Sequence, residues 1–281
     1  MTTSKKHSLQ CALLAFALIA SAPLPALAEL MLNPTRLILA KNQRAAQVEL
    51  INNSAQSASY RITLVNRRMS ETGEFMSVTA PADGERFADT MLTFSPRQVT
   101  LAPGTAQVVR LMVRKPEALA EGEYRSHLHF EKLPEAAEVA SSVEAGEPGA
   151  ARIGVVLKTL VGASIPVIVR HGATSASVTL SGLALHADDR AKGPMLGFRI
   201  ERAGNSSVYG DLSATFTPHG GPVLQLAQAR GVALYTPNTR RVASLQLASR
   251  TPLAGGTLRL SYREPVDAGG KLLAEAELAL P

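Results

Sequence analysis

The sequence predicts an all-β protein built from two β-sandwich domains. Three observations carry that reading. Apolar and polar residues alternate with period two through most of the chain, turn signals interrupt the alternation about every eight to twelve residues, and helical periodicity is nearly absent. A length of 281 residues, at about 150 per domain, supplies two such units.

The elements follow in chain order. Lys5 and Lys6 precede an apolar run from Ala12 to Ala20 and the small-residue site Ala26-Leu27-Ala28, so residues 1–28 read as a secretory signal peptide. The run is too short for a membrane span of about 20 apolar residues and is broken by Pro23 and Pro25. The mature chain is expected to begin near Glu29, leaving 253 residues, enough for one or two cores.

Alternation then marks strands at Gln47–Leu50, Tyr60–Leu64 and Gln107–Arg114. Turns are expected at Asn52-Asn53-Ser54, Glu71-Thr72-Gly73, Ala102-Pro103-Gly104 and Glu121-Gly122. Pro116–Ala120 is the best candidate for a short helical turn. Pro134–Ala151 is dominated by Ala, Glu, Ser and Gly and reads as a mobile loop. Ile153–Arg170 is unusually long and apolar for an antiparallel strand, and His171-Gly172-Ala173-Thr174 ends it. A second series covers Ser177–Leu185, Leu196–Glu201, Val208–Thr217, Val242–Ala248 and Thr257–Arg263, which puts the domain division at 29–171 and 172–281.

Composition removes several functions. Cys11 is the only cysteine and leaves with the signal, so the mature chain has no disulfide, thiol nucleophile or cysteine zinc site. Losing Lys5 and Lys6 lowers the formal charge from +6 to +4, and the remaining basic residues are scattered, as in Arg67-Arg68 and Arg240-Arg241. With no Trp and only twelve Phe and Tyr, stacking platforms are scarce, and no nucleic-acid role is expected. There is no GxSxG elbow, HExxH, phosphate-binding glycine loop or clustered acidic metal loop, so no enzyme activity, cofactor or metal is expected.

Two constellations remain. His127-x-His129 puts two imidazoles on one strand face beside Arg125 and Glu131, with Tyr124, Leu128 and Phe130 opposite; this reads as a solvated strand face. The other is the row Ile153, Val155, Leu157, Val161 and Ile165 at strand parity, fed by the Ala/Glu loop. An ordinary central strand would bury such a row within the molecule. If the strand is a sheet edge, its free backbone groups and apolar row suit strand addition to another chain. Each Val, Ile or Leu buried in a partner would contribute about 1.5–3 kcal/mol before ordering costs.

Several motifs resemble the periplasmic pilus-assembly chaperones of the PapD type. Asn33-Pro34-Thr35-Arg36-Leu37-Ile38 is similar to that family's first-strand motif, and Ser95-Pro96-Arg97, Leu101-Ala102-Pro103-Gly104 and Val109-Arg110-Leu111 to its proline-rich approach and following strand. Gly122-Glu123-Tyr124-Arg125-Ser126 resembles the opening of the next strand, with Gly where the family has Arg. Ile165–Arg170 resembles the last strand before the hinge, and Asp267-Ala268-Gly269-Gly270 the family's Asp-x-Gly-Gly turn. The long loop before the donor strand resembles the family's long-loop branch.

The resemblance implies two immunoglobulin-like sandwiches in a boomerang arrangement. It makes Arg36 the cleft arginine that grips a subunit's C-terminal carboxylate. It makes Glu123, Arg170 and Asp267 the charges that bridge the domains. One position departs: where the family has a second anchoring Lys, four residues before the hinge arginine, this chain has Pro166. Lys158 shares its parity but lies about 26 Å away along a strand at about 3.3 Å per residue. Either Arg36 acts alone or another basic group, such as Arg125, approaches the cleft.

The expected function is a periplasmic, non-enzymatic chaperone that lends the strand from Ile153 to Ile165 to pilin or fimbrial subunits lacking one strand, and delivers them to an outer-membrane usher without inserting into the membrane. The rival is a secreted two-domain adhesion or scaffold protein in which the same row pairs internally.

Overall fold

The computed structural model describes residues 29–134, 162–186, 193–248 and 253–281. The expected signal peptide, the Ala/Glu loop and the stretch Ile153–Val161 lie outside the described residues.

The first body is a sandwich of two sheets. One holds β1 (Leu30–Asn33), β3 (Ala45–Asn52), β8 (Ala106–Val113) and β6 (Leu92–Ser95) in that order. The other runs β2 (Leu37–Leu39), β10 (Gly162–His171), β9 (Gly122–Lys132), β4 (Ala58–Met69) and β5 (Phe75–Val78), with β7 (Gln98–Leu101) on β4. The inward parity of each strand supplies the core: Val48 and Leu50, Tyr60 and Ile62, Val109 and Leu111, Leu128 and Phe130, Val167 and Val169. Asn52 holds the turn expected after β3, its Oδ1 accepting the Ser54 amide at 3.0 Å while its Nδ2 donates to the Leu101 carbonyl at 2.9 Å.

The second body has a three-stranded sheet, β11 (Ala176–His186), β12 (Met195–Gly204) and β15 (Arg240–Gln246). Facing it is a four-stranded sheet in the order β14 (Leu224–Leu234), β13 (Val208–Pro218), β16 (Gly256–Arg263) and β17 (Leu272–Leu280). Leu196, Phe198, Ile200, Leu212, Leu258 and Tyr262 fill the space between. The fold is therefore all-β, as two sandwiches. The alternating stretches of the sequence fall in strands except at two ends, where β8 stops at Val113 and β15 at Gln246, and β14 and β17 are among the strands that the alternation does not single out.

The short turn expected at Pro116–Ala120 forms as a turn and not as a helix: the Leu119 amide donates to the Pro116 carbonyl at 3.3 Å, and Leu119 packs against the first core. Among the described residues no helix is long and apolar enough to cross a membrane.

Gly172 takes the chain out of β10 at φ 64°, a left-handed conformation that glycine adopts without steric cost, and β11 begins at Ala176. The bodies share packing as well as chain: Met69 at the end of β4 and Ile168 in β10 are buried in the second core, not the first. At the tip of the β4–β5 hairpin, the Val242 amide donates to the Glu71 carbonyl at 2.8 Å, and Asn238 Nδ2 donates to the Met69 carbonyl at 2.7 Å.

Candidate functional site

Arg36 stands where the chain leaves β1 in one sheet and enters β2 in the other, so its side chain emerges at the end of the sandwich that meets the second body. Its Nη2 donates to Ser207 Oγ at 3.1 Å and its Nη1 to Tyr235 Oη at 3.4 Å. The guanidinium carbon lies 4.6 Å from the ring centre of Tyr209 and 5.3 Å from that of Tyr235. Arg36 thereby lines a cleft of about 520 Å³ shared with Arg170, Ser207, Tyr209, Pro265 and Asp267.

Glu123 opens β9 and Arg170 nearly ends β10, and the antiparallel register sets them opposite each other. Arg170 Nε donates to Glu123 Oε2 at 3.1 Å. The same oxygen accepts the Ser207 amide at 3.0 Å, and Arg170 Nη2 reaches the Ser207 carbonyl at 3.4 Å. Of the three charges the family resemblance groups together, the structure brings these two into contact within the first body, and both reach Ser207 of the second. Asp267 lies exposed on the cleft rim in a 3-10 turn, and among the described residues no ion pair joins it to Arg170. The backbone of Ser207 takes the second-body side of the contact.

The outward row of β9 is not the solvated face that its polarity implies. Arg125 is 6% exposed and His127 3%. The start of β5 covers them from one side, with the Phe75 ring edge-on to His127 at 5.4 Å, and Tyr235 covers them from the second body. Burial, then the neighbouring charges of Arg125 and Arg67, push the His127 imidazole down to about 3, so it is neutral at physiological pH. The Arg125 guanidinium carbon sits 4.2 Å from the Tyr235 ring centre, and Nη2 donates to the Arg67 carbonyl at 3.1 Å. Desolvation lowers the Arg125 pKa and raises that of Tyr235.

Pro166, at the family's Lys position, pairs across with His127. Ile165, the last residue of the apolar row, is 3% exposed, pairs with Leu128 and packs into the first core. Ile153, Val155, Leu157 and Val161 lie outside the described residues. The backbone is more informative. β2 pairs with β10 only at Val167–Val169, so among the described residues Gly162–Pro166 is paired with β9 on one side and has an open edge on the other.

Sequence reasoning missed Ser207, Tyr209, Tyr235 and Phe75. The scarcity of aromatics was the only signal: in a chain with five tyrosines, two meet one arginine. Among the described residues no group of three His, Cys, Asp or Glu is placed to hold a metal ion.

No protein-family model matches the chain, and no curated protein matches its sequence. Solved structures with a similar fold include the YadV chaperone, at 13% identity over 89% of this chain and 100% of that one, TM-score 0.46. The CsuC–CsuE chaperone–tip subunit complex of Acinetobacter baumannii matches at 11% identity over 90% and 100%, TM-score 0.47. The Pseudomonas aeruginosa CupB2 chaperone matches at 10% identity over 89% and 100%, TM-score 0.43.

Proposed function

We propose that the chain is a periplasmic chaperone for pilin subunits, acting by strand donation and not by catalysis. One observation carries the reading: among the described residues the edge of β10 at Gly162–Pro166 is open, and that strand leads to the cleft holding Arg36 and Arg170. An open edge offers unpaired N–H and C=O groups to an extended segment, and the cationic cleft beyond it can hold the end of that segment.

In this reading residues 1–28 direct export, residues 29–171 form the domain that donates the strand, and residues 172–281 form the domain that closes the cleft. Leu157 and Val161 enter the subunit's groove, and Arg36 holds its terminal carboxylate. Glu123 and Arg170, with Ser207, fix the angle between domains. No nucleotide is needed, because a subunit-to-subunit strand exchange with better packing drives release at an outer-membrane usher.

The test is co-expression with exported candidate subunits followed by pull-down of the wild type and of a Leu157→Asp plus Val161→Asp double variant. Capture of a soluble subunit by the wild type and its loss in the variant is the expected result. Equal capture by both, or capture by neither, overturns strand donation in favour of the adhesion or scaffold role.

A further inference from the structure

We propose that the two bodies part and reclose as units in the native protein, and that the buried arginines between them set how readily they part. The inference concerns the fold alone and stands whether or not the chain donates a strand.

Two clasps join the bodies. Among the described residues, two backbone amides of the second body donate to the first: Ser207 to Glu123 Oε2 at 3.0 Å, and Val242 to the Glu71 carbonyl at 2.8 Å. Arg36 and Arg170 gather at the first clasp, Arg36 on the Ser207 hydroxyl and Arg170 on its carbonyl. At the second, Asn238 Nδ2 holds the Met69 carbonyl at 2.7 Å. There Gly73, at φ 91°, lies so close to the Arg241 guanidinium that a side-chain carbon in its place would overlap it. Met69 and Ile168 add apolar contact in the second core, and the ring centre of Phe75 lies 5.9 Å from that of Tyr235.

The polar groups of this seam are poorly matched. Four buried atoms on residues that reach the other body have no hydrogen-bond partner within the protein: Arg36 Nε, Arg125 Nη1, Arg241 Nε and Glu123 Oε1. Among the described residues, no ion pair within 4 Å joins Arg36, Arg125 or Arg241 to a carboxylate. The nearby acids are engaged elsewhere, Glu123 with Arg170, Glu71 with Arg240 and Glu85 with Arg68. Desolvation lowers the pKa of both Arg125 and Arg241.

A buried charge without a partner destabilises the arrangement that buries it, and water reaches these groups once the bodies part. The closed seam is thus opposed by the cations it encloses, while each sandwich keeps its own core. Domains of one chain move against each other unless their interface is large and apolar, so the seam opens before either body unfolds. Parting takes Arg36 away from Ser207 Oγ and Tyr235 Oη, and the width of the cleft changes with it.

The experiment is amide hydrogen exchange read by NMR on residues 29–281. The Ser207 and Val242 amides report on the two clasps, and those of Leu111 and Leu260, in the central strands β8 and β16, on the two cores. The clasp amides are expected to show protection factors at least 100-fold below those of the cores. Asn238→Ala, at the second clasp, speeds exchange at Ser207 as well as at Val242, at least threefold. Arg125→Met, which removes a cation that bonds to neither amide, slows both at least threefold.

Equal protection at clasps and cores overturns the proposal, because the bodies then part only on unfolding. Effects of Asn238→Ala confined to Val242 overturn it too, since each clasp then frays alone. Unchanged or faster exchange in Arg125→Met overturns the role of the arginines. If that variant does not fold, Arg241→Met, read at Ser207, takes its place.

Discussion

The Ser207 amide donates to Glu123 Oε2 at 3.0 Å across 84 residues of sequence, and this buried bond ties the turn before β13 of the second body to the Glu123–Arg170 ion pair. The Glu123 side chain is fully buried while that of Arg170 is one-quarter exposed, so the two bonds to Glu123 Oε2 offset the carboxylate's desolvation.

Glu123→Ala is therefore expected to cost about 3–5 kcal/mol, because it leaves Arg170 Nε and the Ser207 amide without their acceptor. Calorimetry should show a lower melting temperature and a first-body transition separated from the second.

Ile168→Ala should cost about 2–5 kcal/mol, the usual range for a buried aliphatic truncation. Ile168 sits on a first-body strand but in the second core, so urea unfolding followed by probes in both bodies should show the two losing cooperativity. Val169→Ala, on the opposite parity, should affect the first body alone.

The neutral, buried His127 makes stability fall in acid. Its imidazole titrates near 3 in the folded chain and near 6.5 when unfolded, so between these values the unfolded state binds the extra proton. Stability is then lost as pH falls below about 6.5, by up to about 1.4 kcal/mol per unit. Urea unfolding at pH 7 and pH 5 should show a drop about 2 kcal/mol smaller in His127→Phe than in the wild type.

Arg240 Nη2 donates to both carboxylate oxygens of Glu71, Oε2 at 2.9 Å and Oε1 at 3.1 Å, and both side chains are about half exposed. Glu71→Ala should cost under about 1 kcal/mol, since solvent screens the pair and the Val242 amide still reaches the residue 71 carbonyl.

Much of the fold was legible because a strand with one buried face writes its burial into the sequence. Val48 and Leu50, Val109 and Leu111, or Leu258 and Leu260 declare their inward parity without reference to any partner. β9 shows where this stops. Its Arg125 and His127 look like solvent residues by type, yet Phe75 and Tyr235 cover them from segments about 50 and 110 residues away. Ile165 shows the converse. Its apolar character is visible in the chain, but which body it serves depends on its pairing with Leu128.

The sequence by itself determined the strand content, the organisation as two sandwiches and the absence of the usual catalytic signatures, because these depend on local periodicity and motif; it pointed to Arg36, Glu123 and Arg170 through a family resemblance. Only the tertiary structure decided that Met69 and Ile168 belong to the second core and that the backbone of Ser207 contacts the hinge pair. It also placed Arg36 and Arg125 against one tyrosine. Those relations are set by which surfaces meet when two sandwiches pack, and contacts between residues tens to hundreds of positions apart leave no period in the chain.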